Sequence, residues 1–147
     1  MRIRKTNPED TPQLRQLWAL GFGDTEQEID AFFAIAYPAA FGFCAEENGR
    51  LAAAAYALPQ EIAWGERTEK AAYLYAVTTH PDFRGQGICR KLLAFAEKER
   101  KKRYFDCLLL VPATEELRAY YETMGFCAQK SEFLDDGPAP EARGVCE

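Results

Sequence analysis

The residues Val77-Thr78-Thr79-His80-Pro81-Asp82-Phe83-Arg84-Gly85-Gln86-Gly87-Ile88-Cys89-Arg90-Lys91-Leu92-Leu93 read as strand, tight turn, glycine-rich loop and helix start. The first turn of a helix leaves N–H groups without intrahelical partners, and the aligned peptide dipoles put positive potential behind them. Gly85 and Gly87 remove side chains at that point, so a phosphate can approach the backbone closely. Arg84 and Arg90 add charge. Residue types in this order build a seat for a pyrophosphate. They do not build a Walker A loop, because no Gly-Lys-Ser/Thr follows, nor the dinucleotide fingerprint, because the third glycine of GxGxxG is missing.

Other chemistries find less support. Cys44, Cys89, Cys107, Cys127 and Cys146 are widely spaced, with no CxxC, and His80 is the one histidine. Zinc needs thiolates and imidazoles clustered at short spacing. No metal is expected, and the cysteines read as reduced, mostly buried thiols. Ser131, the sole serine, falls in a strand-like stretch near the end, which speaks against a Ser-His-Asp hydrolase.

The elements that must position the loop follow from periodicity and punctuation. Arg2 to Thr6 alternates as a first strand. Thr11-Pro12 opens a helix with Leu14, Leu17, Trp18 and Leu20 on its apolar face, ended by Gly21/Gly23. Thr25-Glu26-Gln27-Glu28 is a capping box for a second helix lined by Ile29, Phe32, Phe33 and Ala36. Phe41–Glu46 and Leu51–Ala57 flank Asn48-Gly49, a hairpin signal, and Pro59 suggests a bulge or an end in the second of these strands. A turn at Trp64–Arg67 leads to a strand over Ala71–Thr79. Ile88, Leu92, Leu93 and Ala96 then give a third helix. Cys107–Val111 is a fully apolar strand, the pattern of parallel pairing through a crossover helix. Thr114 caps a last helix carrying Leu117, Tyr120, Tyr121 and Met124 to Gly125, and Phe126–Leu134 alternates as a final strand.

The chain has 147 residues, enough for one domain with a real core. No stretch approaches the ~20 apolar residues that span a bilayer, and the first residues lack the apolar run of a secretory leader, so the expected home is the cytoplasm. The net charge is −5, yet residues 84–103 hold eight basic side chains against Glu97 and Glu99. A basic island in an acidic chain suggests an anionic ligand on one face and a cationic one elsewhere. The overall acidity disfavours nucleic acid, and Lys98 to Arg103 read mainly as a solvated helix face.

Two segments taken together resemble the GNAT superfamily of N-acetyltransferases. The loop is similar to that family's Arg/Gln-x-x-Gly-x-Gly/Ala motif, as Arg84-x-x-Gly87-x-Cys89, with Cys89 departing from Gly/Ala. Tyr120-Tyr121-Glu122-Thr123-Met124-Gly125-Phe126 is similar to its Phe/Tyr-Tyr-Glu-x-x-Gly-Phe motif. The order of elements over residues 1–134 also agrees. The implied fold is α/β: a mixed, mostly antiparallel sheet whose central parallel strand pair splays to hold acetyl-CoA, flanked by about four helices. Residues 1–134 form the single domain and 135–147 a flexible tail.

The resemblance implies acetyl-CoA as co-substrate, with cofactor-binding residues Val77, Thr78, Thr79, Arg84, Gly85, Gln86, Gly87, Ile88, Cys89 and Arg90. The pyrophosphate sits on the amides of Gly85 to Arg90, and the pantetheine arm pairs with the backbone of Val77 to Thr79. An amide near Val77 serves as oxyanion donor, and Tyr121 as the acid that protonates the departing thiolate. Tyrosine suits that step, since its reference pKa of ~10 lies above the ~8.5 of a thiol. The alternative reading of Tyr121 is a packing residue, since Leu117, Tyr120 and Met124 share its helix face. Tyr73–Val77 carries no glutamate to act as base. His80, a water chain, and Glu26, Glu28 or Asp30 remain open for that role, and Trp18, Phe32, Tyr73 and Tyr75 are candidate acceptor walls. The implied activity is direct transfer of an acetyl group to a primary amine on a small molecule or a protein, without nucleic acid or membrane, and with a homodimer allowed. The rival reading is a non-catalytic acyl-CoA-binding regulatory module, to which the absent glutamate lends weight.

Overall fold

Residues 1–128 and 144–145 are described by the computed structural model. Among the described residues six strands make one sheet: β1 (Arg2–Lys5), β2 (Phe41–Glu47), β3 (Arg50–Trp64), β4 (Arg67–Thr79), β5 (Cys107–Leu109) and β6 (Gly144–Val145). Four α-helices among the described residues flank it: α1 (Thr11–Phe22), α2 (Glu26–Ala31), α3 (Ile88–Lys102) and α4 (Glu115–Glu122). The order is β1-β2-β3-β4-β5, antiparallel as far as β4 and parallel between β4 and β5. The expected mixed α/β architecture with a parallel strand pair is present, though among the described residues β5 closes the strand order and the pair lies at the edge of the sheet. β6 runs parallel to β4 on the β5 side, farther along the strand.

Alternation along the strands divides the core between the two sheet faces. Phe43, Leu74, Val77, Ile88, Leu92, Leu93 and Tyr121 pack in one cluster, with α3 and α4. Leu14, Trp18, Ile29, Phe32, Cys44 and Tyr56 form the other, with α1 and α2. The small side chains Ala52–Ala55 of β3 let helices approach from both sides. Gly21 does similar service inside α1: a Cβ there would lie 2.8 Å from Thr78 Cγ2, so glycine is what allows α1 to press against β4. Gly21 is therefore a packing residue, and Gly23, left-handed at φ 63°, ends the helix.

Several local readings are refined. The hydroxyl of Thr11 donates to Pro8 O, and Asn7 caps the 3-10 turn Pro8–Asp10 that leads into α1. The Thr25 capping box is formed, and Thr114 caps α4. β3 continues through Pro59 to Trp64, because β2 stops pairing at Ala57 and leaves β3 an edge there that needs no N–H. β5 ends at Leu109 and is half-buried, where a longer, fully buried strand was expected; its pairing with β4 stops at Tyr73. Phe126–Ala128 are not a strand. Phe126 N–H instead donates to Tyr121 O, folding the chain back against α4. The rest of the expected final strand lies outside the described residues. Of the expected tail, Gly144–Val145 is described, and it is a strand.

Ion pairs account for four of the eight basic residues of the island. Arg100 and Lys101 pair with Glu97, and Lys102 and Arg103 with the buried Glu99, which Lys5 also reaches. Among the described residues Arg84, Arg90, Lys91 and Lys98 form no ion pair, and three of these four lie at the start of α3.

Arg4 joins the beginning of the chain to the sheet. Its guanidinium donates to both carboxylate oxygens of Asp10, at 2.7 and 2.9 Å, and to Glu46 at 2.6 Å. The Arg4 hydrogen bonds hold the buried Asp10 carboxyl below its usual range, aided by the Asn7 N–H and opposed by burial. A depressed folded pKa contributes stability above the unfolded carboxylate value, and that contribution is lost as pH falls through the folded value. Asp10→Asn should therefore cost about 2 kcal/mol at pH 7. The gap between variant and wild type should narrow as the pH drops below about 4. Urea midpoints for both proteins across that range check this; equal midpoints at pH 7 would contradict it.

Candidate active site

The site forms where β4 and β5 part. Their parallel pairing covers Ala71↔Cys107, Ala72↔Leu108 and Tyr73↔Leu109, then ends. Three residues later β4 is bulged. Ala54 pairs with Thr78 and Tyr56 with Tyr75, so Ala76 and Val77 together oppose Ala55. Ala76 has φ 53°, a left-handed conformation rare for a residue with a side chain, and it is buried. A bulge turns the following peptide groups out of the regular ladder. The bulge immediately precedes Val77, whose amide the sequence reading assigned to oxyanion binding. Beyond it, the edge of β4 at Val77 and Thr78 faces Gly144 and Val145.

Thr79 ends the strand beside the loop. Its hydroxyl is buried with no hydrogen-bond partner. A buried hydroxyl left unpaired is costly, so this atom calls for a ligand or water. Arg84 Nε donates to Thr79 O at 3.4 Å, which brings the loop back onto the strand end. Gly85 and Gly87 have φ 76° and 71°, and a Cβ at either would meet nothing within 4 Å. The space above both backbones is open. Gly87 is the N-cap of α3 and supplies no side-chain cap, whereas Thr25 and Thr114 cap α2 and α4. The uncapped first turn of α3 therefore retains its donors for an anion.

Two clamps hold the loop. On one side His80 Nδ1 accepts from Asp82 N–H at 3.1 Å, and Arg50 reaches both His80 Nε2 and Asp82 while stacking on Phe83. With Nδ1 accepting, the ring proton sits on Nε2, and Nδ1 makes the contact that closes the turn, the arrangement of a residue that holds a loop. On the other side Arg90 donates to Thr123 Oγ1 at 3.1 Å, tying the start of α3 to the end of α4. Neither Arg50 nor Thr123 was singled out in the sequence, because each acts across a long separation.

Tyr121 lies in the same core cluster as Ile88 and Cys89, with its ring against Tyr120 and Phe126. Burial, with a smaller contribution from Tyr120, pushes its pKa up to about 12. Cys89 is buried and disulfide-bonded, so the reading of uniformly reduced thiols fails at this position; Cys44, Cys107 and Cys127 are free. Wide spacing in sequence does not reveal which cysteines the fold brings together.

On the other face, Glu28 is occupied in the Thr25 capping box and Asp30 pairs with Arg15. Trp18 and Phe32 are core, with Trp18 Nε1 donating to Asp24. Tyr73 is buried, while Tyr75 is half-buried and stacks on Phe32. Of the four candidate acceptor walls, Tyr75 keeps the most exposure. Among the described residues there is no group of three metal-binding side chains, and no helix is long and apolar enough to cross a membrane.

The family model described as "Acetyltransferase (GNAT) domain" matches residues 2–128. The chain belongs to the GNAT acetyltransferase family. A putative acetyltransferase from Agrobacterium tumefaciens str. C58 superposes with TM-score 0.73 at 26% identity, covering 93% of this chain and 100% of its own. Glucosamine-6-phosphate N-acetyltransferase from Arabidopsis thaliana gives 0.67 at 21%, covering 91% and 98%. An aminoglycoside N-acetyltransferase in complex with a CoA bisubstrate analog gives 0.77 at 17%, covering 94% and 98%. The last two are likenesses of fold. The search of curated proteins returned no match.

Gly87→Ala isolates the backbone requirement of this GNAT loop, since the added methyl touches nothing while φ stays positive. It should lower stability by about 1 kcal/mol, the usual cost of a left-handed residue with a Cβ. Chemical denaturation measures this, and an unchanged or higher unfolding free energy would contradict it.

Proposed function

We propose that this protein is an acetyl-CoA-dependent N-acetyltransferase that transfers acetyl directly to a primary amine of a small molecule or protein, in the cytoplasm. The observation that carries the reading is the open, uncapped start of α3 at Gly85–Arg90, set beside the parted strands β4 and β5. The amides of Gly85, Gln86, Gly87, Ile88, Cys89 and Arg90, with the Arg84 and Arg90 guanidiniums, fit a diphosphate. The unpaired Thr79 hydroxyl and the edge of Val77–Thr79 suit a polar, amide-bearing arm. Acetyl-CoA supplies the activated acyl group and a thiol leaving group.

The chain's own groups then divide the work. The Val77 N–H, released from the ladder by the bulge, donates toward the carbonyl oxygen where negative charge grows. Tyr121 donates its phenolic proton to the departing sulfur. With its pKa raised by burial it stays protonated throughout the neutral range, as a donor must. His80 is committed to its loop, so water removes the amine proton. The acidic remainder of the chain favours a cationic acceptor. The same absence of a carboxylate on Tyr73–Val77 favours one rival, a module that binds acyl-CoA without turnover.

An acceptor screen with acetyl-CoA and thiol detection separates the two readings, since the rival binds and releases no thiol. Tyr121→Phe should lower kcat about 100-fold, within the usual range for a lost general acid, and leave acetyl-CoA affinity unchanged. Undiminished turnover would remove Tyr121 from the mechanism. Because its pKa is pushed to about 12, the wild-type enzyme should show no alkaline loss of kcat below about pH 10, where an ordinary tyrosine titrates. Gly87→Glu should abolish acetyl-CoA binding in calorimetry by placing a carboxylate among the phosphates; retained affinity would refute the loop assignment.

A further inference from the structure

Residues 16–49 contain no basic side chain, and Asp24, Glu26, Glu28 and Asp30 lie in the first half of that stretch. Arg15, at its boundary, answers Asp30, and the segment stays acidic. Among these carboxylates the fold gathers aromatic rings. Ring centroids lie 4.3 Å apart for Trp18 and Phe32, 5.9 Å for Trp18 and Tyr75, and 5.7 Å for Phe32 and Tyr75, whose planes differ by 25°. Phe32–Ala36 is wound as a π-helix, a winding frequent at functional sites, and the neighbours Phe32 and Phe33 both reach Trp18. Trp18 and Phe32 are buried, whereas Phe33 and Tyr75 keep part of their surface in solvent. The Arg15 guanidinium, 5.7 Å from the Phe33 centroid, shows that such a face takes a cation.

The rings meet the transfer site at Tyr75. The last β4–β5 pair is Tyr73 with Leu109, and Tyr75 is the next residue in that alternation, its ring beside that of Tyr73. The bulge follows at once, and Val77 then faces the α3 cluster. Tyr75 packs in the α1/α2 cluster. Two residues of strand are about 7 Å, so the ring stands within a small molecule's length of the amide assigned to the oxyanion. With the diphosphate seated at α3, the α1/α2 face is the approach left for the amine.

We propose that the acetyl acceptor is an arylalkylamine, a primary ammonium on a short linker from an aromatic body, held by the rings of Tyr75 and Phe33 at the mouth of the β4–β5 split. The proposal rests on the acetyltransferase reading above and narrows its acceptor. The acidic segment draws the ammonium in, and the ring faces hold both the charge and the flat body. An amine rich in hydroxyls or in further charges fits poorly, because the polar tips in this cluster are already matched. Trp18 Nε1 donates to Asp24, and the Tyr37 and Thr6 hydroxyls bond each other at 2.8 Å. Glu28 closes its capping box and Asp30 holds Arg15. Extra polar groups would lose water here without gaining partners. In the transfer a C–N bond forms as the C–S bond breaks. Of the two protons the ammonium sheds, one leaves on water and one replaces the proton that Tyr121 gives to sulfur, so the products are the amide and the free thiol.

Initial rates of thiol release from acetyl-CoA with 2-phenylethylamine, glucosamine and spermidine test this on the full chain. kcat/KM for 2-phenylethylamine should exceed that for the other two by about 10-fold or more. Benzyltrimethylammonium, which keeps ring and charge but has no N–H to replace, should inhibit competitively against the amine. Tyr75→Leu and Phe33→Leu should each raise KM for 2-phenylethylamine about 10-fold, with acetyl-CoA affinity in calorimetry at the wild-type value. Glucosamine or spermidine as the better acceptor, or a wild-type KM in both leucine variants, would overturn the acceptor class and leave the acetyl-CoA site standing. Acetyl-CoA binding with no thiol released by any of the three amines would overturn it too, in favour of the module that binds without turnover. If Gly87→Glu binds acetyl-CoA like the wild type, or the wild type does not bind it, the site assignment fails and the acceptor falls with it.

Discussion

A β-strand edge must be satisfied, and the organisation around β4 follows from that constraint. β3 pairs with one side of β4 along nearly its whole length, while on the other side β5 accompanies it only over Ala71–Tyr73. Farther along, Val77 and Thr78 pair on that side with Gly144 and Val145. The bulge at Ala76 and Val77 lies between the two regimes, and Ala76 adopts a conformation that costs roughly 1–2 kcal/mol for a residue with a side chain. Strain of this kind persists where surrounding packing over-determines it. Here Val77 and Leu74 on one face and Tyr56 on the other supply that packing. The parting of the strands is thus a stable property of the folded chain.

Much of this was legible in the sequence because it depends on local chemistry. Asn48-Gly49 specifies its hairpin, Thr25 and Thr114 specify helix starts, and the glycines of the loop specify a backbone that only glycine adopts easily. These signals act over a few residues and need no partner elsewhere. The bulge escaped notice because Ala76 is not a glycine and nothing around it breaks the alternation. The partly buried Arg4–Asp10–Glu46 cluster escaped because its members lie on three elements and each reads alone as a surface charge. The length of β5 was overread because an apolar run describes burial, and Leu110 and Val111 remain partly buried without being in a strand. β6 carried no strand signal, since two residues cannot show a period.

The charge distribution has a similar division. The lower half of α3 looks like a polyanion-binding surface in sequence, yet Arg100, Lys101, Lys102 and Arg103 are matched to Glu97 and Glu99 one turn away. A pair exposed on both sides, such as Lys101–Glu97, contributes little to stability. The larger effect of these pairs is to cancel the far field of the helix surface. Arg84 and Arg90 remain uncancelled at the positive end of the α3 dipole, so an approaching anion meets its strongest attraction at the loop.

The loop is pinned at both ends before any ligand arrives. Arg50, from the tip of the β2–β3 hairpin, grips His80 and Asp82, and Arg90 grips Thr123 at the close of α4. Conformational freedom that a ligand would otherwise have to quench has already been surrendered during folding. Sensitivity of cofactor affinity is thereby exported to distant surface positions: the hairpin tip and the last turn of α4 touch no phosphate, yet each sets how much disorder the loop retains.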